Sequence, residues 1–94
     1  MRKSADWMAH ADERILEFLD EHGNHQPSQI ASRLVEIGAG MEYHPNYVGR
    51  RCRKLTEYGL LRNIGNGVYQ ITEDGKQYLA GELDASELQG DEES

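Results

Sequence analysis

The sequence predicts a single α+β domain that is mostly α, with three helices, a short β-hairpin and a C-terminal helix. Apolar residues recur at helical spacing in residues 7–22, 27–35 and 45–58. Two short apolar-rich runs then flank Asn66-Gly67, and Asn-Gly supplies the positive φ angles that a tight hairpin turn needs. A chain of 94 residues is long enough for one modest hydrophobic core.

The most informative stretch is YHPNYVGRRCRKLTEYG, residues 43–59, in which we expect a helix to begin near Pro45. At 3.6 residues per turn, Val48, Cys52 and Leu55 share one side and can pack into a core. The other side carries the polar and basic side chains Asn46, Arg50, Arg53 and Lys54. Tyr47 and Arg51 lie on the flanks between the two sides. Four of the ten basic residues of the chain belong to this helix.

The net charge of −7 argues against a nucleic-acid binder, but the distribution of the charges points the other way. Residues 1–40 carry four basic and seven acidic side chains. Residues 41–63 carry five basic and two acidic ones, and residues 64–94 carry one basic and eight acidic ones. A positive island between negative segments can orient a polyanion. The acidic excess and the ratio of three Lys to seven Arg suggest a protein adapted to a very salty cytoplasm, although an ordinary acidic domain explains the composition equally well.

Residues 1–6 are expected to be loose, and the first helix to run from Trp7 to about His22. Its apolar stripe is formed by Met8, Ala11, Ile15, Leu16, Phe18 and Leu19. Its acidic residues are all expected to face outward: Asp12, Glu13, Glu17, Asp20 and Glu21. Gly23 and Asn24 end it.

The second helix begins at Gln26-Pro27-Ser28, because proline suits the first turn. Ile30, Ala31, Leu34 and Val35 form its stripe, and Gly38-Ala39-Gly40 ends it. Residues 41–43 can pair as one strand of a small sheet. Residues 60–64 and 68–71 form the hairpin.

Thr72 can cap the last helix, whose buried side carries Tyr78, Leu79 and Leu83. The sequence 84–87 resembles a further cap and short turn, and residues 90–94 form a solvated tail. We therefore divide the chain into a flexible N-terminus at 1–6, a domain at 7–83 and an acidic C-terminal tail at 84–94.

A helix, a glycine-containing turn and a basic helix together form a helix-turn-helix. The match extends to local sequence: YVGRRCRKLTEYGLLRN followed by GVYQITEDGKQYL is similar to small archaeal winged-helix transcription regulators, notably the haloarchaeal phage-repressor-like group. The resemblance covers about residues 10–83. It implies a winged helix-turn-helix fold and a repressor that binds duplex DNA, usually as a homodimer, with the third helix in the major groove.

The positions that carry over from the family are Asn46, Tyr47, Arg50, Arg51, Arg53 and Lys54. Arginine can read guanine with two hydrogen bonds and asparagine can read adenine, whereas lysine and further arginines can hold phosphates. We expect Asn46, Tyr47 and Arg50 to reach bases, because they lie near the helix N-terminus. Arg53 and Lys54 are expected at phosphates. His44 can bond a phosphate or cap the helix.

The hairpin, or wing, departs from the family pattern, since its tip Gly65-Asn66-Gly67 is uncharged. Wing contacts to DNA are expected only from Arg62, Asn63 and Asn66. A dimer interface is expected from residues near the two chain ends: Trp7, Met8, Tyr78, Leu83 and Leu88. The alternative, that Trp7 packs on its own fourth helix, is equally well supported.

Other classes of function find little support. No nucleophile–base pair, phosphate loop or carboxylate dyad stands out, so we predict a non-enzyme without a cofactor. His22 and His25 lie in a loop without a second cluster, and Cys52 belongs to an apolar stripe, so no metal site is predicted. One cysteine and no long apolar run favour a cytoplasmic protein. The alternative function is a winged-helix protein–protein interaction module without specific DNA binding, and any effector ligand stays open.

Overall fold

The computed structural model describes residues 2–37 and 42–89. The helices are α1 (His10–His22), α2 (Pro27–Glu36), α3 (Pro45–Glu57) and α4 (Glu73–Leu79); the strands are β1 (Leu61–Asn63) and β2 (Tyr69–Ile71), and a 3₁₀ turn follows at Ala85–Glu87. The predicted fold class and order of elements are confirmed. α1 begins three residues later than predicted, so Trp7 and Met8 precede it. The predictions for residues 38–41 and 90–94 lie outside the described residues.

The core lies between α1, α2 and α3. Ile15, Leu16, Ile30, Val48 and Leu55 are all completely buried. Burying apolar side chains of this size stabilises the fold by roughly 1.5–3 kcal/mol each.

Val35 was wrongly predicted to share this core, since 46% of it is exposed. It lies about 140° around the helix from Ile30 at 100° per residue, and it borders an open groove together with Tyr43 and Pro45 instead of entering the core. Ile30, Ala31 and Leu34 are buried as predicted.

The wing is an antiparallel hairpin in which Leu61 pairs with Ile71. Asn66 and Gly67 have φ values of 57° and 72°, as the predicted turn requires. Residues 42–43, expected to pair with the sheet, form no strand. Instead, His25 pairs with β2: its N–H donates to the Tyr69 oxygen at 3.3 Å, and the Tyr69 N–H donates to the His25 oxygen at 2.9 Å. Gln26 Nε2 also donates to the backbone oxygen of Asn66 at 2.8 Å. The wing is thereby fixed to the start of α2.

The T-x-x-G sequence at the start of α4 has a steric and a hydrogen-bonding explanation. Thr72 Oγ1 accepts from the Gly75 N–H at 3.1 Å and donates to the Gly59 oxygen at 2.7 Å. A Cβ at Gly75 would lie 2.4 Å from the Leu60 oxygen and 2.6 Å from Ile71 Cγ1. The lack of a side chain therefore allows α4 to pack directly on the base of the wing.

Residues 2 and 3 contact α1, α4 and the 3₁₀ turn. Arg2 donates to the Leu79 oxygen and to Glu13 Oε1, both at 3.1 Å, and the Ala85 N–H donates to the Lys3 oxygen at 2.9 Å. Residues 2 and 3, expected to be loose, thus have specific partners in the structure.

Tyr78 is completely buried, and its hydroxyl donates to Glu13 Oε2 at 2.7 Å. This hydrogen bond is the main cause that lowers the pKa of Glu13, and burial raises the pKa of Tyr78. The assignment of Tyr78 to a dimer interface is therefore wrong, because its side chain is enclosed by its own domain.

We expect Gly75→Ala to lower the free energy of unfolding by about 1–3 kcal/mol, the usual cost of overpacking. Intrinsic helix propensity alone would favour alanine by about 1 kcal/mol, so the sign of the change tests the packing. Urea unfolding in concentrated KCl measures it. Gly49→Ala is the matched control, because its Cβ would find its neighbours at 3.7 Å or more; equal stabilisation by both substitutions would contradict the packing described here.

Candidate nucleic-acid interface

α3 is held by an apolar face that points into the domain. Val48, Cys52 and Leu55 have no exposed surface, as the sequence predicted. Burial raises the pKa of the Cys52 thiol to about 12, so this cysteine stays protonated and serves as a core residue. The opposite face of α3 is consequently turned to solvent.

The start of α3 is defined by His44 and Pro45. The Asn46 N–H donates to His44 Nδ1 at 3.0 Å, so the capping role of His44 is confirmed. Pro45 occupies the first turn, where a missing N–H costs nothing. From this start, Asn46, Arg50 and Arg53 are exposed, and Tyr47 and Lys54 are partly exposed.

Arg51 turns inward and pairs with Asp12 of α1. Its Nε donates to Asp12 Oδ1 at 2.8 Å and its Nη2 donates to Oδ2 at 2.7 Å. The same Nη2 donates to the Trp7 oxygen at 3.0 Å. Asp12 is completely buried, only 17% of the Arg51 side chain is exposed, and hydrogen bonding to Asp12 raises the pKa of Arg51.

Two predictions need correction at this point. Asp12 does not face outward: its Oδ2 also accepts from the Ala9 N–H at 3.0 Å, which satisfies a free donor at the start of α1. Arg51, expected among the DNA-binding residues, directs its guanidinium at Asp12 and Trp7. A bidentate pair buried between helices is a poor source of a DNA contact, so we remove Arg51 from the interface.

The starts of α2 and α3 border one open cleft of about 500 Å³. Its lining combines the first turns of both helices with two guanidinium groups: Pro27, Ser28, Pro45, Asn46, Gly49, Arg50 and Arg53. Helix N-termini carry partial positive charge, which suits a phosphate. Here the two prolines have no N–H and the Asn46 N–H already donates to His44, so the charge and the guanidinium groups favour an anion. Ser28 was not among the residues predicted from the sequence, because the proximity of the two helix starts is a tertiary feature.

The wing residues named from the sequence are on the surface. Arg62, Asn63 and Asn66 are exposed, and Asn63 Oδ1 accepts from the Gly65 N–H at 2.9 Å. Next to them, 48% of Ile64 is exposed. Contact of these side chains with DNA stays a prediction.

Trp7 contacts the residue that follows α3 and the 3₁₀ turn, and its packing on α4, the alternative to a dimer contact, stays a prediction. Its ring stacks on Tyr58 with a centroid distance of 3.8 Å, and its indole N–H donates to the Ala85 oxygen at 3.2 Å. Met8, Leu83 and Leu88 are partly buried against the core. Their role in a dimer also stays a prediction.

The histidines near the end of α1 have a packing role. His22 and His25 lie against the Phe18 ring, with centroid distances of 4.7 and 4.8 Å. Within residues 2–37 and 42–89, no three His, Cys, Asp or Glu side chains group as they would around a metal ion. Over the same residues, no helix has the length and apolar character needed to cross a membrane.

Three helices, a wing and an exposed basic α3 define the winged helix-turn-helix class. The chain belongs, more narrowly, to the winged helix-turn-helix phage repressor family, whose profile matches residues 1–91. It is 30% identical over 92 residues to the repressor protein of Halobacterium phage phiH, covering 95% of this chain and 98% of that protein. It is also similar to the crystal structure of the PhiH1 repressor-like protein from Haloarcula marismortui, with 40% identity, a TM-score of 0.84 and coverage of 96% and 97% of the two chains.

Membership in this repressor family supports the general function of a DNA-binding regulator. The haloarchaeal relatives also agree with the halophilic interpretation of the composition.

We expect Asp12→Asn to lower the free energy of unfolding by roughly 2–3 kcal/mol, near the lower end for a broken buried ion pair because Arg51 is partly exposed. Urea unfolding measures the change. Glu21→Gln on the same helix is the control, and its exposed carboxylate predicts a change within about 0.5 kcal/mol. Equal unfolding midpoints for the two variants would show that the pair does not hold α3.

Proposed function

We propose that this protein is a sequence-specific repressor that binds duplex DNA with α3 in the major groove. The observation that carries the proposal is the division of α3 into a buried apolar face and an exposed face with Asn46, Arg50 and Arg53. An α-helix fits the major groove, where each base pair presents a distinct pattern of donors and acceptors. Repression rests on the family, and steric occlusion is the mechanism that we propose for it.

Within this proposal, Asn46, Tyr47 and Arg50 read base edges, because they occupy the first turns of α3. Arg53 and Lys54 bind phosphates. The cleft between α2 and α3 adds a place for one backbone phosphate, with Ser28 as a hydroxyl donor. Arg62 at the base of the wing can reach a neighbouring phosphate, and His44, Asn63 and Asn66 complete the proposed interface.

We further propose a homodimer built on Trp7, Met8, Leu83 and Leu88. Two-fold symmetry would set the two α3 helices about 34 Å apart, one turn of DNA, and the site would be a near-palindrome.

In molar salt the Debye length falls to about 3 Å, so long-range attraction to phosphates is lost. Close contacts must then supply the affinity, and the dependence of affinity on salt should be shallow.

The double substitution Arg50→Ala/Arg53→Ala should weaken binding to a duplex selected by the wild-type protein at least about tenfold, since one bidentate contact between arginine and a base contributes roughly 1–3 kcal/mol and Arg53 is proposed to bind a phosphate as well. Fluorescence anisotropy at several KCl concentrations measures the affinity. Arg14→Ala/Lys76→Ala removes the same charge from α1 and α4, outside the proposed interface, and should change the affinity far less. Equal losses for both pairs would mean that total charge, not α3, determines binding.

The alternative function is a protein–protein interaction module. The uncharged wing tip and the exposed Ile64 favour it. In that case the α3 substitutions would leave binding to a partner protein intact, and the wild-type protein would show no preference among duplex sequences.

A further inference from the structure

Five side chains form a stripe along one flank of α3, which includes Tyr43 just before the helix and Tyr58 just after it. The spacing of three and four residues keeps the three that belong to α3 on one side of the helix, and the stripe combines aromatic with cationic groups: Tyr43, Tyr47, Arg50, Lys54 and Tyr58. The two cations of the stripe are among the residues that the proposed function assigns to DNA. Of the three tyrosine rings beside them, the proposed function gives a role only to Tyr47, as a base-reading residue.

At the start of the stripe, the guanidinium of Arg50 lies over the Tyr47 ring, 5.6 Å from its centroid. Tyr47 in turn stacks on Tyr43, with a centroid distance of 5.9 Å and an angle of 27° between the rings. A cation within about 6 Å of a ring centroid is attracted by the ring's quadrupole. The Arg50 side chain is therefore exposed to solvent, but its contact with the Tyr47 ring restricts its motion.

The same arrangement recurs at the other end of α3. Lys54 Nζ lies 5.7 Å from the centroid of the Tyr58 ring, and Tyr58 stacks on Trp7 at 3.8 Å with the rings almost parallel. Trp7 is fixed at both its indole and its backbone, by the Ala85 oxygen and the Arg51 guanidinium. The ring under Lys54 thus rests on the part of the molecule that the Asp12–Arg51 pair anchors.

We propose that Tyr47 and Tyr58 are positioning residues that hold Arg50 and Lys54 in place before DNA arrives. The inference rests on the proposed function and adds how this interface works in concentrated salt. Ordering a long basic side chain on binding costs conformational entropy, and a side chain already placed over a ring avoids most of that cost. Salt also screens partly buried contacts much less than exposed ones, and Tyr47, Lys54 and Tyr58 are all partly buried.

Arg53 offers an internal comparison. It is exposed, points toward the cleft with Nη1 3.7 Å from the position of a Gly49 Cβ, and within the described residues lies over no aromatic ring. We expect it to be mobile in the free protein and ordered only by DNA.

The first test needs no DNA. In NMR spectra of the protein alone in concentrated KCl, the side-chain methylene protons of Lys54 should be shifted upfield by the Tyr58 ring relative to those of Lys76, a lysine on α4. Tyr58→Phe should retain the shift and Tyr58→Leu should abolish it. Lys54 resonances at the positions of a lysine in an unfolded peptide, in the wild-type protein, would overturn the inference, whether or not either variant folds.

The second test measures DNA binding by the same variants. Tyr58→Leu should weaken binding to a DNA duplex by about three- to fivefold, the effect of one exposed cation–π contact, and Tyr58→Phe should restore it. In a Lys54→Ala background, Tyr58→Leu should have no further effect. A matching cycle with Tyr47→Leu, Tyr47→Phe and Arg50→Ala tests the other end of the stripe.

The outcomes separate this inference from the proposed function. Strong DNA binding with a mobile Lys54, or an equal loss from Tyr58→Leu with and without Lys54, would overturn only the positioning role. An ordered Lys54 in a protein that binds no duplex at any salt concentration would overturn both.

Discussion

The orientation of α3 depends on the buried pair between Asp12 and Arg51. α3 carries basic groups around much of its circumference, and only one rotation about its axis gives an apolar face to the core and Asn46, Arg50 and Arg53 to solvent. The bidentate pair reinforces the rotation that the buried apolar face requires, because its two hydrogen bonds, at 2.8 and 2.7 Å, join α3 to the first turn of α1. Taking two charges out of water costs about as much as their attraction returns, but removing one partner of the pair would leave the other charge buried and unpaired.

Much of the fold followed from periodicity and turn chemistry. The helical spacing located α2 and α3, Pro45 and Pro27 marked their starts, and Asn66-Gly67 marked the hairpin turn. The exposed cations of α3 were also predicted. These features are local, so a sequence window of a few turns contains the information that determines them.

The errors came from assigning charged residues to the surface by type. Asp12 lies on the stripe of Ile15, Leu16 and Leu19, and Arg51 lies beside Val48 and Leu55 on the stripe of α3. An acidic residue on one buried stripe and a basic residue on another indicate that the two could pair. The two residues are 39 positions apart in the chain, however, so only the tertiary fold shows that they meet. Tyr78 was correctly predicted on the buried side of the last helix, but its further assignment to a dimer interface overlooked the hydrogen bond to Glu13, which is 65 residues away in the chain.

Sequence-specific recognition of duplex DNA by α3 is tested most directly by selection from a pool of random duplexes. The protein would be incubated with the pool at low and at multimolar KCl, and the retained DNA sequenced. Recognition by a dimer predicts enrichment of a two-fold symmetric motif in concentrated KCl, with half-sites about one helical turn apart. A retained pool without sequence preference at every salt concentration would contradict it, and the exposed face of α3 would then have to serve a protein partner.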